Sequence, residues 1–184
     1  MPQLQFIIPE RQHADLILKW RRQPWVAQGM YTQVDHDTEE QEKWVEDCLG
    51  RDDYRHWLVV TDGRPIGFTS MQKIDWANKT TANGYYLGEE NARPLSGFVP
   101  PFLYNHAFFD LGMNEVTAEV IEGNDIMRLN RLIGHEETIK KDAFTRDGKT
   151  FDIICLRLTR EVWEQKTRFH RYRADFPWVQ TAAS

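Results

Sequence analysis

Tyr85-Tyr86-Leu87-Gly88-Glu89-Glu90-Asn91-Ala92-Arg93-Pro94-Leu95-Ser96-Gly97-Phe98-Val99-Pro100-Pro101 begins the part of the chain, Asn83 to Gly134, around which the rest is arranged. The order there is a short strand (Tyr85 to Leu87), an irregular loop (Gly88 to Gly97), a helix from about Val99 to Leu111, a strand (Val116 to Ile121) and a second helix closing at Gly134. A strand that stops at a loop feeding a helix N-terminus leaves backbone N–H groups unpaired, and these hold an anion such as a pyrophosphate. Pro100-Pro101 fits only the first turn of that helix, and it reduces the donors left for the anion. Along the next strand Val116, Ala118 and Val120 share one face and Thr117, Glu119 and Ile121 the other, so Glu119 is a carboxylate inside a strand. Asn124 suits a helix N-cap, followed by Ile126, Leu129, Leu132 and Ile133 as a buried stripe and by Gly134 as the stop.

Upstream, Leu4, Phe6 and Ile8 alternate in a half-buried first strand that Pro9 ends. Leu16, Ile17 and Trp20 lie on one face of a helix from His13 to Arg22, and Pro24 turns the chain into a second short helix reaching Met30, with Tyr31 at its end. Thr38-Glu39-Glu40-Gln41 has capping-box spacing and opens a helix through Trp44, Val45 and Cys48 to Leu49. Arg55 to Thr61 and Ile66 to Ile74 form strands two and three around an Asp62-Gly63 turn. Ile66, Phe68, Ser70, Gln72 and Ile74 share a face of the third strand, which brings the Ser70 hydroxyl into a partly apolar row. Trp76 to Thr81 reads as a polar turn. Downstream, Glu137 to Phe144 and Thr150 to Leu158 bracket Arg146-Asp147-Gly148-Lys149, a second Asp-Gly hairpin. Thr159 caps a last helix, and Arg168, Arg171 and Arg173 make a solvated basic tail running into a mobile Thr181 to Ser184.

With 184 residues, 41% hydrophobic and 12% aromatic, the chain suits one domain spanning residues 1–184, of which 159–184 form a C-terminal helix and tail. A net charge of −5 gives no general attraction for nucleic acid. Cys48 and Cys155 make neither a metal spacing nor a Cys-x-x-Cys pair, and no signal peptide or roughly 20-residue apolar span appears. A cytoplasmic protein with reduced thiols and no membrane partner is expected. His135-Glu136-Glu137 lacks the second histidine of a zinc site, the histidines nowhere cluster at ligand spacing, and no metal is expected. The absence of a Walker loop, a Gly-x-Gly-x-x-Gly and a Gly-x-Ser-x-Gly elbow argues against a P-loop nucleotidase, a usual dinucleotide enzyme and a serine hydrolase.

The order of strand, two or three helices, three-strand meander, helix, strand, helix and two final strands resembles the GNAT acetyltransferase superfamily. Trp20-Arg21, Pro24, Met30-Tyr31, an acidic helix containing Trp44 and then Pro65-Ile66-Gly67 are similar to the PseH-like branch, nucleotide-linked amino-sugar N-acetyltransferases of the pseudaminic acid pathway. The likeness runs from about Leu16 to Leu158. It implies an α/β (α+β) fold with a mixed, mostly antiparallel central sheet, a splayed fourth and fifth strand pair and flanking helices. It implies acetyl-CoA as co-substrate, held by Leu87, Gly88, Arg93, Ser96, Gly97 and Phe98 with Asn124 against the pantetheine arm. Arg21, Met30, Tyr31 and Tyr86 would bind the acceptor, Glu119 would be the base and Ser70 its companion. A small-molecule acceptor and a second copy of the chain, as a homodimer, are the implied partners.

Three departures accompany the likeness. Pro94 stands where the phosphate loop has a glycine. Asn130 or Arg131 stands where a tyrosine commonly acts as general acid. His135 and Gln41 replace an aromatic after the helix-ending glycine and a histidine of the acidic helix. The mechanism implied is direct attack by the sugar amine, deprotonated by Glu119 directly or through water, with the thioester carbonyl held by a backbone N–H near Tyr86 or Leu87. An acetyltransferase of protein or peptide N-termini, and a catalytically degenerate acyl-CoA-binding protein, are the alternatives the sequence leaves open.

Overall fold

A computed structural model describes residues 3–35, 37–124 and 126–178. Seven strands, β1 (Gln5–Ile7), β2 (Arg55–Thr61), β3 (Arg64–Asp75), β4 (Thr80–Leu87), β5 (Glu115–Ile121), β6 (Glu136–Arg146) and β7 (Lys149–Thr159), form one sheet in the order β1-β2-β3-β4-β5-β7-β6. The β4–β5 ladder is parallel and all others are antiparallel. The helices are α1 (Ala14–Arg21), α2 (Pro24–Ala27), α3 (Thr38–Leu49), α4 (Val99–Asn105), α5 (Met127–Ile133) and α6 (Arg160–Glu164). This is the mixed, mostly antiparallel architecture that the resemblance implies. No described helix is long and apolar enough to cross a membrane.

Two apolar layers cover the sheet. Ile17 and Trp20 of α1 and Val45 of α3 pack on Leu58, Val60 and Phe68. On the opposite face, Phe102 and Leu103 of α4, Ile133 of α5 and Trp163 of α6 pack with Trp57, Val59, Met71 and Val116. The alternation along β2 decides this division, because successive side chains of a strand enter opposite faces.

The feature that makes the site is the incomplete β4–β5 ladder. The two strands pair only where Thr80, Thr81 and Ala82 meet Glu115, Val116 and Thr117. Beyond that point β4 follows β3 as far as Leu87, while β5 follows β7 as far as Ile121. Each strand stays satisfied on its outer side, and a V-shaped cleft opens between Asn83–Leu87 and Ala118–Ile121, as the splay expected from the resemblance requires.

Local differences from the sequence reading have local causes. Strand β4 starts at Thr80, because Thr80 to Ala82 complete ladders with both β3 and β5. Residues Glu90–Phe98 form a 3₁₀ helix in place of an irregular loop, the fixed φ of Pro94 lying within the 3₁₀ range. The capping box of α3 lies one residue earlier than expected: the Asp37 side chain accepts from the Glu40 N–H and Glu40 reaches back to the Asp37 N–H. Thr38 is thereby free to bond Asp15 of α1. Helix α2 ends at Ala27, so Tyr31 stands in a bend beyond it. Helix α4 stops at Asn105 and continues as a π-type turn, His106–Asp110. Helix α5 begins at Met127 and buries Met127, Asn130 and Ile133, whereas Leu132, expected in the stripe, is 52% exposed.

The arginines of the C-terminal segment are exposed as expected, but the aromatic that follows them is docked. Phe176 stacks on Phe6 (4.1 Å between centroids) and His106 (4.3 Å), and the Trp57 indole donates to Pro177 O at 2.7 Å. Residues 169–178 thus strap the α4 face of the sheet, and the expected mobile end, Thr181 to Ser184, lies outside the described residues.

Candidate functional site

The C-terminal end of β4 is held by two tryptophans from the α1–α2 corner. The indole of Trp20 is fully buried against Gly88, where an added Cβ would fall 1.9 Å from Trp20 Cγ, and its Nε1–H donates to Glu89 at 2.7 Å. Gly88 N–H is engaged by Ile66 O at 2.9 Å. So this glycine serves packing, and its N–H is already partnered. Trp25 Nε1–H donates to Leu87 O at 3.1 Å, beside the mouth of the cleft, and the Arg93 guanidinium lies over the Trp25 ring at 5.6 Å.

The remaining residues expected at the cofactor lie just before α4 and α5. Ser96 and Gly97 close the 3₁₀ segment, and Ser96 O accepts from the Val99 N–H as α4 begins. A Cβ on Gly97 would meet only Leu129 Cδ2, at 3.9 Å, so protein packing does not demand glycine there. Phe98 packs toward Tyr172 (6.1 Å) rather than standing free. Asn124 Oδ1 accepts from the Ile126 N–H at 3.1 Å, and its Nδ2 faces Gly29. At the apex of the cleft, where β4 leaves β5, Asn83 Oδ1 is buried with no hydrogen-bond partner. An unpaired strand edge, an orphaned amide oxygen and an exposed arginine fit a long ligand carrying amides at one end and phosphates at the other.

On the opposite side of the sheet a pocket of about 300 Å³ is lined by Ile17 and Arg21 of α1, Met30 and Thr32 to Val34, Gln41 and Trp44 of α3, and Tyr54, Phe68, Ser70, Gln72 and Gly84 to Tyr86. The structure therefore gathers four expected residues, Arg21, Met30, Ser70 and Tyr86, around one cavity. Tyr86 stacks on Phe68 (5.7 Å), and Ser70 Oγ accepts from Gln72 at 2.9 Å. Burial raises the pKa of both Tyr54 and Tyr86 and keeps their phenols neutral. Arg21 carries the one formal charge among the lining residues. Among the described residues its Nε is buried and unpartnered, and its Nη2 reaches Thr32 O and Oγ1 at 3.4 and 3.5 Å.

Glu119 and Tyr31 stand beside this pocket and are not among its lining residues. The Glu119 carboxylate accepts from Lys140 at 2.6 Å. That bond, followed by the Lys140 charge and the Tyr31 hydroxyl, lowers its pKa against partial burial. Tyr31 is 38% exposed, leans on Phe144 (5.5 Å), and has its own pKa raised by burial and by the Glu119 charge. His135 and Asn130 are turned inward: His135 lies between Tyr104 Oη (3.0 Å) and Asn130 O (3.0 Å). Arg131 is paired with Glu137 at 2.9 Å. Another depression, about 350 Å³, lies outside the α1–α3 pair along Asp15, Lys19, Arg22 and Thr38 and has no connection with the cleft residues.

Sequence reasoning missed Trp25, Tyr54, Gln72 and Arg146. Gln72 was legible, since it lies two residues from Ser70 on one strand face. Trp25, Tyr54 and Arg146 reach the site only through contacts between elements far apart in sequence.

An acetyltransferase (GNAT) domain family model matches residues 4–129. The SPbeta prophage-derived uncharacterized N-acetyltransferase YokL of Bacillus subtilis (strain 168) is 29% identical over 128 residues, 66% of this chain and 71% of that protein. Among solved structures, spermidine N-acetyltransferase from Vibrio cholerae in complex with CoA and spermine superimposes with a TM-score of 0.81 at 14% identity, over 88% of this chain and 98% of that one. A probable acetyltransferase matches with a TM-score of 0.72 at 19% identity, over 87% and 94%.

Proposed function

The chain belongs to the GNAT acetyltransferase family and is an acetyl-CoA-dependent N-acetyltransferase, and from that premise we propose that its acceptor is the amine of a nucleotide-linked amino sugar. The observation that carries this reading is Arg21: a guanidinium with a buried, unpartnered Nε in a pocket whose lining, among the described residues, contains no carboxylate. A cation so placed asks for an anionic ligand, and a diphosphate answers it. Thr32, Gln33, Ser70 and Gln72 offer neutral hydrogen bonds for sugar hydroxyls, Met30 offers an apolar contact for a deoxy carbon or methyl, and Trp44, Phe68 and Tyr86 offer aromatic faces. A polyamine such as the spermine bound in the Vibrio cholerae structure is a polycation, and among the described residues this lining has no acid to receive it.

Acetyl-CoA supplies an activated acetyl thioester; the β4 edge from Asn83 to Leu87, Arg93, Ser96, Gly97 and Asn124 are the residues that would hold it. Trp20 and Trp25 fix the end of β4, so its backbone donors are oriented before any ligand arrives. Ser70, in the pocket wall, orients the acceptor amine, and Glu119, which Tyr31 contacts beside the pocket, takes its proton through water. Asn130 is buried and Arg131 is paired with Glu137, so neither serves as proton donor; a thiol leaving group of low pKa departs with help from solvent.

A thiol-release assay with acetyl-CoA and a panel of UDP-glucosamine, other nucleotide-linked amino sugars, spermidine and a short peptide tests the proposal. The amino-sugar nucleotides should turn over fastest, and faster turnover of spermidine or peptide overturns the reading. Arg21→Ala should raise the acceptor KM by about 30- to 150-fold, the loss of a charge-assisted contact, and leave the acetyl-CoA KM nearly unchanged. Glu119→Gln should lower kcat about 100-fold. Because Lys140 holds the carboxylate ionised, activity should persist on acidification until the pH falls through a pKa below the usual glutamate range. An unchanged kcat at saturating acceptor would remove Glu119 from the mechanism.

A further inference from the structure

The hairpin joining β6 to β7 reaches across the molecule to the loop that follows α2. Arg146, at the end of β6, donates from Nη1 to Ala27 O (3.1 Å) and Met30 O (2.9 Å) and from Nη2 to Gln28 O (3.2 Å). Its guanidinium lies over the Phe151 ring (5.1 Å) and near Phe144 (5.9 Å), which stack on each other at 5.1 Å, and Phe144 in turn supports Tyr31. Among the described residues Arg146 forms no ion pair; its hydrogen bonds go to the backbone of another element. We infer that Arg146 is a positioning residue for the acceptor: it holds the loop 28–35 in the arrangement that gives the pocket Met30, Thr32, Gln33 and Val34.

The physical reason lies in that loop. It has neither helix nor strand, and most of its residues are exposed, so little local structure opposes its motion. The last carbonyls of a helix need partners, and a four-residue helix such as α2 supplies few of its own. A planar guanidinium meets three converging carbonyls at once; an ammonium on a flexible stem cannot reproduce that fork. Without it the loop samples open states, and acceptor affinity falls in proportion to the closed fraction, while chemistry in the closed complex is unaltered.

This inference rests on the pocket being the acceptor site. Arg146→Met should accelerate amide hydrogen exchange in residues 28–35 and raise the KM for UDP-glucosamine about 10-fold, with kcat and acetyl-CoA KM within twofold of wild type. Arg146→Lys should recover less than half of the affinity. Unchanged exchange, or parallel losses in kcat and acetyl-CoA KM that follow melting temperature, would overturn it. Arg21→Ala in the same assay separates the two readings. If Arg21→Ala raises the UDP-glucosamine KM and Arg146→Met does not, Arg146 has no positioning role. If neither variant moves it, the pocket is not the acceptor site and both readings fall.

Discussion

Gly88→Ala is expected to destabilise the protein by about 3 kcal/mol, the upper end of the usual overpacking range, and by up to about 5 kcal/mol if Trp20 is expelled from the core. An alanine Cβ would sit 1.9 Å from Trp20 Cγ, 2.1 Å from Cδ1 and 2.4 Å from Cβ. These atoms are the root of the side chain, so a rotation of the ring tip gives no relief. Trp20 has no room to withdraw, being fully buried among Ile17, Val45, Leu58, Val60 and Phe68 and tied to Glu89. The Gly88 backbone is equally fixed through Ile66 O. Either Trp20 leaves the core or the end of β4 moves away from α1, and the second outcome displaces Leu87 at the cleft. A fall in melting temperature of about 10 °C or more should result. Gly97→Ala, with its nearest contact at 3.9 Å, should remain within about 1 kcal/mol of wild type. Combining Gly88→Ala with Trp20→Leu should cost less than the sum of the two single changes. A Gly88→Ala protein as stable as the parent would show that the Trp20 contact does not constrain β4.

Acid should weaken the fold through His56. The residue is fully buried, neither ring nitrogen has a partner, and its neighbours are the rings of Trp44, Tyr54, Phe68 and Trp178 at 5.3 to 5.9 Å. Burial pushes its pKa down to about 4 from an unfolded value near 6.5. Between those values the unfolded chain binds a proton that the folded protein refuses. Stability is therefore full above pH 6.5 and declines as pH falls toward 4, by about 3 kcal/mol from this residue. His106 and His135 are buried and shifted in the same direction, so they add to the slope without changing its sign. His56→Phe keeps a ring in the box and removes two unsatisfied nitrogens. It should be neutral or stabilising at pH 7 and should flatten the decline between pH 6.5 and 4. Urea unfolding at pH 7, 5.5 and 4.5 measures both effects, and an equal slope in the two proteins would exclude His56 as the source.

The residues that form strands and turns were legible because their signals are local. Alternation at residues 3–8 and along β5, the apolar runs of β2 and β3 and the Asp-Gly turns at 62–63 and 147–148 predict the ladders that form, since all depend on neighbours one to four residues apart. The same reasoning erred where tertiary packing decided: Thr80 to Ala82 join β4 because β5 lies alongside, and Leu132 faces outward because the face of α5 that packs inward runs through Met127, Asn130 and Ile133. Of the site, Arg21, Met30, Ser70 and Tyr86 were named from sequence and stand around one pocket. Their types and order come from the chain itself, and so does the element order that marks a strand running into a helix at 85–101.

Only the tertiary structure decided how these parts are used. Gly88 is a glycine because Trp20, far away in sequence, packs on its α-carbon, and no local signal carries that constraint. Among the described residues Arg21 forms no ion pair and no carboxylate lines its pocket, a property set by every other element around it. Glu119 is paired because β6 brings Lys140 beside it, and the loop bearing Tyr31 is held because β6 also ends in Arg146. A strand's periodicity is written in the strand, but the charge, burial and mobility of a side chain are properties of whatever the fold sets against it.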